Sequence, residues 1–90
     1  MKGYVYILEC ADDSFYTGAT NNLEHRLEQH QSGKGAKYIK GRLPVKLAYC
    51  EEFKNVKDAF YREKQIKRLS RKEKEELGRM GIEKNGKRKC

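Results

Sequence analysis

No stretch of this 90-residue chain approaches the ~20 consecutive apolar residues that span a bilayer. A membrane-spanning role is not expected. The chain also enters a strand-like segment within a few residues of Met1, without a signal-peptide pattern, which gives the expectation of a cytoplasmic protein. Its three cysteines, Cys10, Cys50 and Cys90, are far apart and odd in number, so neither a disulfide framework nor a zinc ribbon follows. Cys10 and Cys50 read as strand residues and Cys90 as a tail residue. There are no internal repeats or low-complexity tracts, and the length leaves no room for a second domain. Gly33-Lys34-Gly35 lacks the strand and Gly-Lys-Ser/Thr spacing of a P-loop, which sets that nucleotide-hydrolysing class aside.

Apolar residues are scarce as well: 37% are hydrophobic while 38% are charged. They are grouped with clear periodicity, which argues against disorder before the last dozen positions. Lys and Arg outnumber Asp and Glu by 21 to 13, for a net charge of +8, and such a balance suits a polyanionic partner, nucleic acid first.

Two runs rich in aromatic and β-branched residues, around Tyr4-Val5-Tyr6 and Tyr16-Thr17-Gly18, flank Asp12-Asp13-Ser14 and read as a β-hairpin. A two-residue turn would put Tyr6 and Tyr16 on opposite faces. An odd-length loop or a bulge puts both on one face, and this is the arrangement expected. A helix follows, with Asn21 as cap and Glu24 reaching back, running to about Gln31 and stopped by Gly33. On it Leu23, Leu27 and His30 share an apolar side, and Arg26 lies four residues before His30. From Ser32 to Pro44 three glycines, several cations and no acidic residue read as an exposed basic loop. Val45 to Phe53 is a third strand, with Val45, Leu47 and Tyr49 alternating against Lys46, Ala48 and Cys50. Asn55 caps a second helix running to about Leu69, and Ser70-Arg71-Lys72-Glu73 is a capping box for a shorter third helix ending near Gly78. The order is β-β-α-β-α-α. The domain spans residues 1–78, and 79–90 form a flexible basic tail.

Glu63 is the most informative single residue. Val56, Ala59, Phe60 and Ile66 define an apolar stripe at helical spacing, and Glu63 falls close to its middle. A carboxylate turned toward a sheet needs a cation or hydrogen-bond donors. A bound metal is one solution, and an ion pair with Lys67 is the other. Arg26 is suited to gripping a phosphate with its planar fork, or is a surface arginine. His30 either assists proton transfer or is packed and hydrogen-bonded, while His25 points elsewhere. Each of the six tyrosines could be core. Gly18 inside a strand marks a bulge or a close backbone approach. Lys34, Lys37, Lys40, Arg42 and Lys46 around Tyr38 combine charge with aromatic surface fit for a nucleic-acid backbone, against the alternative of a solvated loop.

Tyr6, Tyr16-Thr17-Gly18, Arg26, His30 and Glu63, in this order, resemble the GIY-YIG nuclease family. More closely, the chain to about Leu77 is similar to the small single-domain bacterial YhbQ-like members. Tyr16-Thr17-Gly18-Ala19-Thr20-Asn21, Gly33-Lys34-Gly35-Ala36-Lys37-Tyr38 and Arg62-Glu63-Lys64-Gln65-Ile66-Lys67 carry this closer likeness. The first name-giving motif reads Tyr4-Val5-Tyr6 where Gly-Ile-Tyr is expected, and the second has Thr17 for isoleucine. Both motif tyrosines and Gly18 are kept.

The resemblance implies an α+β fold with a three-stranded antiparallel sheet flanked by helices. It also implies one divalent ion, Mg2+ or Mn2+, held by Glu63 and weakly bound without DNA. In such a mechanism Tyr6 or Tyr16 helps deprotonate the attacking water and Arg26 stabilises the transition state. An asparagine found downstream of the glutamate in some relatives has no counterpart but Asn85 in the tail. The activity so implied is endonucleolytic cleavage of DNA, duplex, branched or single-stranded, with weak sequence specificity, in repair or recombination. No small-molecule cofactor is expected. The alternative is a nucleic-acid-binding module with this fold that cleaves little, and a basic adaptor for an acidic protein ranks last.

Overall fold

The central strand explains the layout of the chain. In a computed structural model, which describes residues 1–80, β1 (Gly3–Glu9) lies between β2 (Phe15–Thr20) and β3 (Lys46–Phe53), antiparallel to both. It therefore has elements packed on both faces, and Val5, Tyr6, Ile7 and Leu8 are all buried, an unbroken apolar run rather than an alternation. Val5 and Ile7 join Tyr49, Ala59 and Ile66 on one side of the sheet. Tyr6, Leu8 and Cys10 join Ile39, Val45 and Cys50 on the other.

The β1–β2 register pairs Tyr6 with Gly18 and Leu8 with Tyr16, so the connection is of odd length and both motif tyrosines share a face, as expected. Asp13, at φ 66°, takes the left-handed conformation that closes the loop, a region Asp tolerates better than most residues.

The first helix, α1 (Leu23–Gln31), is capped by Asn22 and not by Asn21: the His25 N–H donates to the Asn22 side chain over 3.1 Å. Glu24 thereby sits in the first turn, where the helix dipole favours it, without reaching back. Gly33, at φ 79°, ends α1 as expected: its N–H reaches the carbonyl of His30 (3.1 Å) and that of Lys34 reaches Gln29 (3.0 Å).

The segment expected as an exposed basic loop contains a helical turn, α2 (Lys37–Lys40), pinned by the fully buried Ile39. One apolar side chain among cations was enough to dock it. The observed order is thus β-β-α-α-β-α-α. The strand alternation also fails at one point. The β1–β3 register shifts between Ile7 and Leu8, a bulge at Ala48 that sends Leu47 and Tyr49 to opposite faces.

Asn55 caps α3 (Val56–Lys67), its side chain accepting from Lys57 N–H at 2.9 Å. Ala59 and Ile66 are buried against the sheet, but Phe60, expected in that stripe, is 47% exposed. The last helix, α4 (Arg71–Met80), opens on the expected capping box, with Ser70 N–H to Glu73 (3.0 Å) and Glu73 N–H to Ser70 Oγ (3.2 Å). It does not stop at Gly78. A Cβ there would lie 3.2 Å from the Ala48 carbonyl oxygen, so this glycine lets α4 approach the β3 bulge. The expected tail, with Asn85 and Cys90, lies outside the described residues apart from its first two positions. Among the described residues no helix is long and apolar enough to cross a membrane.

Candidate active site

Tyr6 leaves the central strand and lies across β2. A Cβ built on Gly18 would come within 2.4 Å of the Tyr6 hydroxyl oxygen, so the ring occupies the space that any other residue at 18 would fill. The glycine read as a close backbone approach is indeed one, and what approaches is the chain's own tyrosine.

The Tyr6 hydroxyl is 3.0 Å from Nε2 of His30, which α1 delivers from its last turn. His30 is fully buried. Gly35 closes over it: a Cβ at 35 would meet Nδ1 at 2.2 Å, and Nδ1 has no hydrogen-bond partner among the described residues. Gly35 was missed as a site residue in the sequence. Its signal was a second glycine in Gly33-Lys34-Gly35 for which the helix end, already served by Gly33, had no need.

The aromatic cluster extends outward. Tyr6 and Tyr16 have ring centroids 6.4 Å apart, Tyr16 meets His30 edge-on at 5.5 Å, and Tyr38 stacks on Tyr16 at 5.9 Å. Above Tyr38 the Arg42 guanidinium lies 4.0 Å from the ring centroid. Arg42 also pairs with Asp12 at 2.9 Å and donates to the Tyr38 carbonyl at 2.7 Å. It is built into the wall of the site, unlike Lys34, Lys37 and Lys40, which are exposed on the same segment.

Charge from α1 and from one further element, α3, reaches the Tyr6 phenol. Burial pushes its pKa up, the neighbouring Tyr16 adds to this, Arg26 opposes it and Glu63 adds a smaller rise. His30 is shifted down, by burial first and by the positive charge of Arg26 second. Both groups are neutral at ordinary pH. Arg26, partly covered on α1, makes no ion pair among the described residues. The Glu63 side chain is only 19% exposed and pairs with Lys67 at 3.1 Å, so the ion-pair solution weighed for this carboxylate is present. His25 is exposed and remote from the cluster's hydrogen bonds.

On the opposite face Tyr49 donates to Glu51, which Arg62 grips through Nε at 3.1 Å. Burial, followed by that bond to Glu51, pushes the Tyr49 phenol up to about 12. This network ties α3 to β3.

Comparison with known proteins agrees with the arrangement. The family model of the GIY-YIG catalytic domain matches residues 2–76. The UPF0213 protein OB0043 of Oceanobacillus iheyensis is 55% identical over 74 residues, 82% of this chain and 86% of its own length. The UPF0213 protein CPE1444 of Clostridium perfringens is 57% identical, covering 82% and 80%. Among solved structures, that of the UPF0213 protein BH0048 from Bacillus halodurans is 46% identical, covers 89% of this chain and 85% of its own, and superposes with a TM-score of 0.57. The chain therefore belongs to the GIY-YIG catalytic-domain family, among the small proteins named UPF0213.

Proposed function

We propose that this protein is a divalent-metal-dependent endonuclease that hydrolyses DNA phosphodiester bonds with weak sequence specificity, in the cytoplasm and in repair or recombination. The observation that carries the reading is the meeting of four elements at one phenol: Tyr6 from β1 over Gly18 of β2, bonded to His30 of α1, and within electrostatic reach of Arg26 and of Glu63 on α3. Membership of the GIY-YIG family supports it.

Among the described residues no cluster of three or more His, Cys, Asp or Glu is present. A half-buried lone carboxylate fits an ion such as magnesium or manganese that keeps most of its waters and takes substrate phosphate as a further ligand. Glu63 would hold it, leaving Lys67 to a phosphate. Bound there, the ion supplies positive charge to the scissile phosphate and the departing oxygen.

The chain's own residues do the rest. The Arg26 guanidinium grips a phosphate oxygen and stabilises charge that builds on phosphorus. Tyr6 is neutral and buried, so it can accept a proton from water only as it loses its own. Nε2 of His30, 3.0 Å away and neutral, is the acceptor within reach. In this step, which requires substrate binding to admit a water to the buried Tyr6 hydroxyl, the water proton passes to the Tyr6 oxygen, the phenol proton passes to Nε2, and the water oxygen bonds to phosphorus as the ester oxygen departs as an alkoxide that takes its proton from solvent. Tyr16, stacked between the site and Tyr38, shapes the wall and remains the second candidate for the proton.

One observation favours a second reading, a nucleic-acid-binding module that cleaves little: Glu63 is already satisfied by Lys67. Incubation of the protein with duplex, single-stranded and branched DNA, with magnesium or manganese and with chelator, separates the two. Chelator-sensitive cleavage supports the nuclease, and metal-independent binding without cleavage supports the module.

A further inference from the structure

The outer surface of α3 departs from the usual rule that an exposed helix face is charged with both signs. At about 100° per residue, Lys67, Phe60, Lys64, Lys57, Arg68 and Tyr61 follow one another around the helix, starting beside Glu63 and moving away from the sheet. All six are exposed, and no acidic residue interrupts them. Phe60 and Tyr61 are 47% and 67% exposed, and these are two of the largest apolar surfaces the fold leaves open. Asp58, the only acid in this part of the helix besides Glu63, falls on the other flank with Arg62 and Gln65.

Two exposed rings set among four cations are not explained by solubility, which needs charge but no aromatic surface. Nor does the fold need them, since Ala59 and Ile66 supply the side of α3 buried against the sheet. Aromatic rings presented among cations suit a strand whose bases are unpaired: each base offers a face to stack on, and its phosphates meet the lysines. Duplex DNA offers only its phosphates to such a surface, because its bases are already stacked on one another.

We propose that this flank of α3 is a binding surface for single-stranded DNA, with unpaired bases stacked on Phe60 and Tyr61 and phosphates held by Lys57, Lys64, Lys67 and Arg68. The inference rests on the reading that the protein acts on nucleic acid, and it names the substrate form. The surface starts at Glu63, so a strand lying on it leads into the candidate site. The exposed lysines 34, 37 and 40 lie elsewhere, on the segment between α1 and β3, and are left to contact a duplex portion. The substrate so defined has a junction between paired and unpaired DNA.

The chain contains no tryptophan, which makes the test direct. In Tyr61→Trp the new indole is the sole tryptophan reporter, and titration with oligothymidylate in the presence of chelator should quench it. In parallel, Phe60→Leu combined with Tyr61→Leu should weaken binding to oligothymidylate and to a forked substrate by about 5- to 100-fold, while blunt duplex binding changes by no more than about twofold. Both side chains are well exposed, so folding should be preserved, and circular dichroism checks it. Absence of quenching, or equal weakening for all DNA forms, overturns the proposal. If wild type binds duplex but shows no affinity for single strands, this inference fails and the nuclease reading stands. If wild type binds neither, both fail. A double variant that binds every DNA form like wild type but loses self-association would reassign the patch to a second copy of the chain.

Discussion

The hydroxyl of Tyr6 and Nε2 of His30 lie 3.0 Å apart, 24 residues distant in sequence, in a part of the protein closed to solvent. Two glycines make this contact sterically possible: Gly18 beneath the Tyr6 ring and Gly35 against His30 Nδ1. The candidate site is therefore held by backbone that carries no side chain where the functional groups need room.

Gly18→Ala should accordingly destabilise the fold by about 1–3 kcal/mol, because the new methyl cannot coexist with the ring and Tyr6 has no free space to enter. Gly35→Ala should behave similarly. Urea unfolding measures both. The same substitution at Gly41, around which nothing lies within 4 Å, is the control and should leave stability within about 0.5 kcal/mol.

His30 gives a pH dependence of defined sign. Its folded pKa lies below the ordinary value of 6.5, so the unfolded chain binds the proton first as pH falls. The contribution of His30 to stability is fully present above that value and is lost as pH falls through and below it. In the proposed proton transfer a resting imidazolium cannot accept from Tyr6, so cleavage should also fall off in acid, below the ordinary histidine range. His30→Gln should flatten the stability difference between pH 7.5 and 5.5, compared by thermal unfolding, and remove the acid limb of the rate profile. An unchanged acid limb in this variant would detach His30 from the proton path.

Arg26→Lys keeps the charge but loses the two-pronged contact, so the cleavage rate should fall by roughly tenfold or more while DNA affinity in chelator changes little. A full rate would return Arg26 to the category of surface arginines. Tyr6→Phe and Tyr16→Phe, measured alongside, should differ, with Tyr6→Phe the more damaging.

Duplex binding should weaken with salt at about −0.9 in log–log slope per phosphate contacted. Replacing Lys34, Lys37 and Lys40 together should reduce that slope by about two to three units and affect all sequences alike. Arg42→Gln should act otherwise, because Arg42 holds Tyr38 and Asp12. Its main effect should be on the packing of α2.

Much of this architecture was legible in residue order, and the failures have physical causes. The shared face of Tyr6 and Tyr16 follows from parity, given an odd-length connection through Asp12-Asp13-Ser14. The capping box at Ser70 and Glu73 and the stop at Gly33 are local chemistry, which sequence expresses directly. Asn21 and Asn22 are adjacent equals, and the choice fell to Asn22, which is placed to accept from His25. The bulge at Ala48, the docking of Ile39 and the exposure of Phe60 depend on what the sheet presents to each element, and local pattern carries no record of that. Gly78 has the pattern of a helix stop in the sequence, and nothing there announces the Ala48 carbonyl beside it. In the candidate site, the sequence singles out Tyr6, Tyr16, Gly18 and His30, which the fold brings together, whereas the Tyr6–His30 bond and the close approach of Gly35 required three elements in place.

The central claim is that Glu63 serves a metal-dependent cleavage site and that its pair with Lys67 is secondary. The most direct test is metal-titrated cleavage of forked DNA by wild type and by Glu63→Gln, with thermal stability and chelator-phase DNA affinity measured on the same preparations. We expect cleavage that requires magnesium or manganese in wild type and is abolished in the variant. Stability should change by no more than about 0.5 kcal/mol, the value of an i, i+4 pair at a helix surface, and affinity should be nearly intact. Cleavage by Glu63→Gln at the wild-type rate, or a variant that fails to fold, would contradict it.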